Sequence, residues 1–157
     1  MGEFALTDAD LDARGMRFGV VVGRFNEAIT SELLAGCLAE FTDRGASDDD
    51  ITVCWVPGAF ELPVVAKRLA ERSAVDAVVC LGAIIRGETA HFDFVAMGAT
   101  QGTLQASLDT GVPVVFGVLT VDSHQQALDR IGGKEGHKGR EAALTAIETA
   151  MLLRRLP

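Results

Sequence analysis

VDAVVCLGAIIRGETAHFDFV, residues Val75–Val95, changes character once, and that change decides the fold. Val75–Ile85 is a nearly unbroken apolar run, the pattern of a strand buried on both faces of a parallel sheet. Gly87 then breaks it, and Thr89 and His91 follow where a helix begins. A strand end opening into a helix start is where α/β proteins gather ligand chemistry, because helix N-terminal amides point at the ligand.

Three other segments repeat the first half of this pattern. Arg17–Gly23, Ile51–Val56 and Val112–Leu119 are short and Val-rich. Segments with helical spacing lie between them. Ile29, Leu33, Cys37, Leu38 and Phe41 form one apolar stripe, and Leu62, Val65, Ala66 and Leu69 a second. Phe94, Met97, Leu104 and Leu108 form a weaker third. A short helix is expected over Gln125–Arg130 and a last one over Lys138–Arg155. Alternating strands and helices predict βαβ units: an α/β fold, a three-layer α/β/α sandwich around a central four-stranded parallel sheet. Residues 16–157 read as a single domain. Residues 1–15 read as an N-terminal arm, either frayed or pairing with a neighbouring subunit.

Bulk properties narrow the partners. The 157 residues suffice for one domain with a real core. A net charge of −8 disfavours nucleic acid and anionic lipid, so any anionic ligand needs a local positive pocket. Cys37, Cys54 and Cys80 sit in apolar segments without metal-ligand spacing, an odd thiol count that fits a reducing compartment. The acidic start resembles no signal peptide, and no apolar run reaches the roughly 18 residues of a membrane span. A cytoplasmic chain follows, with no membrane partner.

Ligand groups should collect at the carboxyl ends of the four strands, expected to share one rim: Arg24–Asn26, Pro57–Glu61, Arg86–His91 and Leu119–Thr120. Gly87, Glu88 and Thr89 can offer amides and a hydroxyl to a phosphate, or form an ordinary turn. His91 suits general acid/base work, or merely holds the turn. His124 reads as a surface cap residue and His137 as solvated. Arg130, Lys134, Lys138 and Arg140 concentrate positive charge in RIGGKEGHKGR, a dianion site or a solvated turn pairing with Glu135 and Glu141. Phe25, Phe60 and Phe116 are the aromatics near the rim, available for stacking or for core packing. Glu61 could cap a helix or accept bonds from a polyol. Cys80, mid-strand, should be inert.

Five segments in register resemble one family: GRFNEAIT at 23–30, VPGAFELPVVAKRLA at 56–70, LGAIIRGETAHFDFVA at 81–96, PVVFGVLTVD at 113–122, and QALDRIGG with HKGREAA at 126–143. The chain resembles 6,7-dimethyl-8-ribityllumazine synthase, the penultimate enzyme of riboflavin biosynthesis. The resemblance implies condensation of 5-amino-6-(D-ribitylamino)uracil with 3,4-dihydroxy-2-butanone 4-phosphate, releasing phosphate and water, with no metal and no organic cofactor. It implies that Phe25 stacks on the uracil ring, that Ala59, Phe60 and Glu61 hold the ribityl chain and ring edge, and that Ala83, Ile84 and Ile85 line the ring slot. Gly87, Glu88 and Thr89 would receive the phosphate, with Arg130 as ionic clamp and Lys138 nearby. His91 would be the proton shuttle. Phe116 would come from the neighbouring subunit, since sites of the family lie between adjacent subunits of a homo-oligomeric pentamer. The short loop Gly132–Gly139 resembles that of members forming a hollow 60-subunit shell. His137 and Glu88 depart from the commoner family pattern. A flavin carrier on a similar sheet is the competing reading, but it leaves His91 and the basic loop without a job.

Overall fold

The computed structural model describes residues 1–72 and 74–157. Four parallel strands form one sheet in the order β2-β1-β3-β4: β1 Phe18–Gly23, β2 Ile51–Val56, β3 Ala77–Ile85 and β4 Val114–Val121. The strand most central in the sequence reading is also central in space. All of β1 is buried and β3 is buried up to Ile84, which is why both read as continuous apolar runs. The outer strand β2 is only partly covered, leaving Val53 and Trp55 exposed. β1 begins one residue later than the apolar run suggests. Arg17 instead brackets Asp76, its amide donating to the carboxylate at 2.7 Å and its carbonyl accepting from the Asp76 amide at 2.7 Å.

Helices cover both faces. α1 (Glu27–Asp43) and α5 (Lys138–Arg155) pack on one side, where Leu33, Cys37, Phe41, Ala146 and Ile147 meet Phe18, Val20, Val22 and Leu81. Phe18 and Phe41 stack with ring centroids 4.0 Å apart. α2 (Leu62–Arg72) and α3 (His91–Thr110) cover the other, burying Leu62, Ala66, Ala99 and Ala106 against Val21, Val78, Cys80 and Ile84. α3 ends at Gly111, whose φ of 69° supplies the left-handed residue that helix C-termini favour.

Three expectations need correction. The Phe94, Met97, Leu104, Leu108 stripe of α3 is exposed. The buried face of that helix is small instead, Ala99, Thr103 and Ala106. Glycines explain the inversion. A methyl group on Gly102 would meet the Pro63 ring at 2.7 Å, so α3 lies against the start of α2 too closely for large side chains. Second, His137 is half-buried: it caps α5, its Nδ1 accepting from the Arg140 amide at 3.4 Å, and its ring presses on Gly36 of α1. Third, the loop Gly132–Gly139 contains part of a small antiparallel hairpin, β5 (Ile131–Gly133) and β6 (Gly136–His137), after the short helix α4 (His124–Leu128).

The N-terminal arm is partly anchored on its own chain. Leu11 and Ala13 are buried, and the Arg44 guanidinium binds the carbonyl and carboxylate of Asp8 at 2.7 Å each. Residues 1–5 are exposed.

Candidate active site

The carboxyl ends of β1, β2 and β3 wall a cleft of about 720 Å³. Its lining includes Phe25, the turn Pro57–Glu61, Ala83–Ile85, Gly87, Thr89 and His91. Phe92, Phe94 and Val95, from the first turns of α3, complete it. β4 is not part of this wall. Its residues Val114–Val121 line a second cleft of about 570 Å³, so the end of β4 stands beside β3 on the same edge of the sheet but adds no side chain to the first cleft.

Local bonds hold each wall. Pairing between β1 and β2 runs on past the strands, with the Arg24 amide donating to Val56 O at 2.8 Å and that of Phe25 to Pro57 O at 3.0 Å. This sets the Phe25 ring, 74 % exposed, over the mouth of the cleft. Asn26 then turns the chain into α1 with a φ of 62°, a left-handed conformation that Asn enters more readily than other side-chain-bearing residues. Its Nδ2 donates to Ala83 O at 2.8 Å and so ties the end of β1 to the ring slot on β3. The sequence places Asn26 on the rim without a role of its own; an Asn just after a strand end was the available signal. Phe60 rests on Gly98 of α3, where a methyl group would come within 2.8 Å of the ring. Phe94, from the apolar stripe of α3, faces the cleft together with Phe92 and Val95.

The polar end of the cleft is the turn between β3 and α3. Among the described residues, the amides of Gly87, Glu88 and Thr89 have no acceptor, whereas the Arg86 amide donates to Val121 O at 2.8 Å and the His91 amide to Thr89 Oγ1 at 3.3 Å. Three open amides ahead of a 20-residue helix favour an anion. The Glu88 side chain is exposed and does not line the cleft, so only its amide is available there. His91 is the first residue of α3 and its imidazole is open to the cleft.

The remaining predicted residues lie elsewhere. Phe116, Arg130 and Lys138 line the second cleft, along β4 and the start of α5. Lys138 Nζ pairs with Glu141 at 3.1 Å, Lys134 with Asp129 at 3.6 Å, and Arg140 with Glu40 and Asp43 at 2.8 and 3.1 Å. Arg130 has no carboxylate partner among the described residues; its guanidinium donates only to Gln126 O at 2.9 Å. In the basic segment it is the cation left available for an external anion. The two clefts share no residue.

Burial pushes the thiols of Cys37 and Cys80 up to about 12, which removes both as nucleophiles. The first cleft thus offers an aromatic lid, an apolar slot, open amides and an imidazole. The second offers an aromatic ring and an unpaired guanidinium. A family model described as 6,7-dimethyl-8-ribityllumazine synthase matches residues 15–154.

Proposed function

Since the chain belongs to the 6,7-dimethyl-8-ribityllumazine synthase family, transferases of riboflavin biosynthesis, we propose that it joins 5-amino-6-(D-ribitylamino)uracil to 3,4-dihydroxy-2-butanone 4-phosphate, releasing phosphate and water. The uracil ring stacks on Phe25 and enters the slot at Ala83, Ile84 and Ile85. Ala59, Phe60 and Glu61 hold the ribityl chain, with Glu61 as acceptor for its hydroxyls. The phosphate lies on the open amides of Gly87, Glu88 and Thr89.

The chemistry asks for little nucleophile activation, because an aromatic amine attacks a ketone directly. Imine formation, phosphate loss and ring closure each need a proton moved, and His91 stands next to the phosphate turn to move them. Much of the acceleration comes from holding two substrates together. No metal or organic cofactor enters this reading.

One observation carries the proposal: the aromatic slot with its imidazole and the unpaired Arg130 occupy two different clefts of one chain. A complete site therefore forms when the second cleft of one subunit faces the first cleft of another. Phe116, Arg130 and Lys138 then come from the neighbour, with Arg130 clamping the phosphate. The exposed apolar stripe Phe94, Met97, Leu104 and Leu108 and the uncovered edge of β2 support such a homo-oligomer, since monomers rarely leave large apolar faces bare. A pentamer, alone or packed into a 60-subunit shell, fits this arrangement, and light scattering separates the two. Cytoplasmic placement belongs to the same proposal: the three cysteines are free thiols, and among the described residues no helix is long and apolar enough to cross a membrane.

The test is direct. Purified protein mixed with both substrates should yield the lumazine chromophore and phosphate together. Tight flavin binding without product would instead favour a carrier.

A further inference from the structure

Arg86 stands in the middle of the site sequence, yet it does not line the cleft. Its Nε donates to Asp122 Oδ1 at 2.9 Å and its Nη1 to Asp93 Oδ1 at 3.4 Å. The guanidinium also lies over the Phe92 ring, 4.2 Å from its centroid. These partners come from two places. Asp122 follows the last residue of β4 and is itself held by Gln126, whose Oε1 accepts from the Asp122 amide at 2.7 Å. Asp93 lies in the first turn of α3, and Phe92 is part of the cleft wall.

We infer that Arg86 is a positioning residue: by joining Asp122 at the end of β4 to Asp93 and Phe92 in the first turn of α3, it fixes where His91 and the turn Gly87–Thr89 stand. Two facts favour this over a phosphate contact. One cation between two carboxylates leaves the cluster net negative, which repels a dianion. The planar guanidinium also satisfies two acceptors and a ring at once, a geometry that Lys cannot reproduce. Within the turn, the amides of Gly87, Glu88 and Thr89 make no internal bonds among the described residues. The turn is held from its flanks, at Arg86 and at the His91 amide.

The inference rests on the proposed reaction for its kinetic consequence, but not for its structural one. Arg86→Gln is nearly isosteric along the stem and removes the charge. It should lower kcat about 10-fold, as small misplacement of a proton-transfer group does, while the KM for the phosphate substrate changes less than about 2-fold. Arg86→Lys should recover only part of kcat. Asp122→Asn should resemble Arg86→Gln, and the double variant should be no worse than Arg86→Gln alone. Melting should barely move, since exposed ion pairs contribute little to stability. Independently of turnover, the hydrogen-bonded amides at the start of α3, residues 93–97, should exchange with deuterium about 10-fold faster in Arg86→Gln while those of β1 and β3 stay unchanged. A higher KM for the phosphate substrate with kcat intact would make Arg86 a substrate ligand and overturn the inference. So would unchanged exchange over 93–97. If the wild-type protein forms no lumazine, the reaction proposal fails, and the exchange result still decides the role of Arg86.

Discussion

Mixing two crippled variants tests the division of the site between subunits. His91→Ala damages the first cleft and Arg130→Ala the second. For the imidazole, loss of one proton-transfer group should cost about 10- to 100-fold. For the guanidinium, the only internal bond is to Gln126 O. Truncating an Arg that clamps a desolvated anion costs about 2–5 kcal/mol, so a value near 3 kcal/mol lowers kcat/KM for the phosphate substrate about 100-fold. Each parent is therefore at about a tenth of normal or below. Suppose the variants are co-expressed in equal amounts and assemble at random into a closed ring. At each interface the first cleft is intact half the time and the second cleft half the time. About a quarter of interfaces then carry both intact halves, whatever the ring size. Phosphate release at low phosphate-substrate concentration should climb to about a quarter of the wild-type rate. The control is Arg130→Ala with Phe116→Ala. Both damage the second cleft, so no interface is restored and activity should stay at the parental level. If the His91→Ala and Arg130→Ala mixture also stays at the mean of its parents, the two clefts do not meet across an interface, and the intersubunit site is wrong.

Three further outcomes are expected. Lys138→Ala should raise the KM for the phosphate substrate less than Arg130→Ala does, by about 10-fold, because Lys138 is already paired with Glu141; equal effects in steady-state kinetics would contradict that ranking. Gly139→Ala should destabilise: a methyl group there would collide with the Leu33 carbonyl of α1, its carbon 2.9 Å away. Overpacking of about 3 kcal/mol outweighs the roughly 1 kcal/mol that Ala gains over Gly in a helix, so the net loss is about 2 kcal/mol and the melting temperature should fall by about 4–8 °C. A rise in the melting temperature would show that α1 and α5 separate freely. Finally, an aromatic disulfide reagent at pH 8 should react with half-buried Cys54 first. Cys37 and Cys80 start from an ordinary value of 9.0 and are raised to about 12, so their thiolate is about 1000-fold scarcer and they should react only on unfolding. Rapid reaction of all three thiols in the native protein would contradict the burial of those two strand and helix positions.

The sheet was legible in the sequence because burial on both faces suppresses alternation. β1 and β3 are lined by helices above and below, so every side chain faces apolar matter. α1 and α5 were legible for a related reason, each carrying one apolar stripe toward one face. α3 misled because its contact face is made of Ala and Gly, which hydrophobic spacing underweights, while its large apolar residues point outward. His137 misled because its neighbours in the chain are charged, whereas its neighbours in space are Gly36 and the start of α5. The turn Gly87–His91 was readable because its bonds are local, within a few residues. The partners of Arg86 were not, since Asp122 lies 36 residues away.

The sequence by itself determined the α/β architecture, the family and the set of chemically able residues, since strand burial, turn composition and motif order are all written along the chain. Only the tertiary structure decided which of those residues stand side by side. Phe25 and His91 share a cleft because β1 and β3 are adjacent in the sheet. Phe116 and Arg130 do not join them, because β4 closes the sheet and turns its residues toward a separate cleft. Spacing along a chain reports which face of an element a residue occupies, but not which elements stand beside it. For that reason the separation of the two clefts, and the partners that suggest Arg86 as a clasp rather than a ligand, emerged only from the packed sheet.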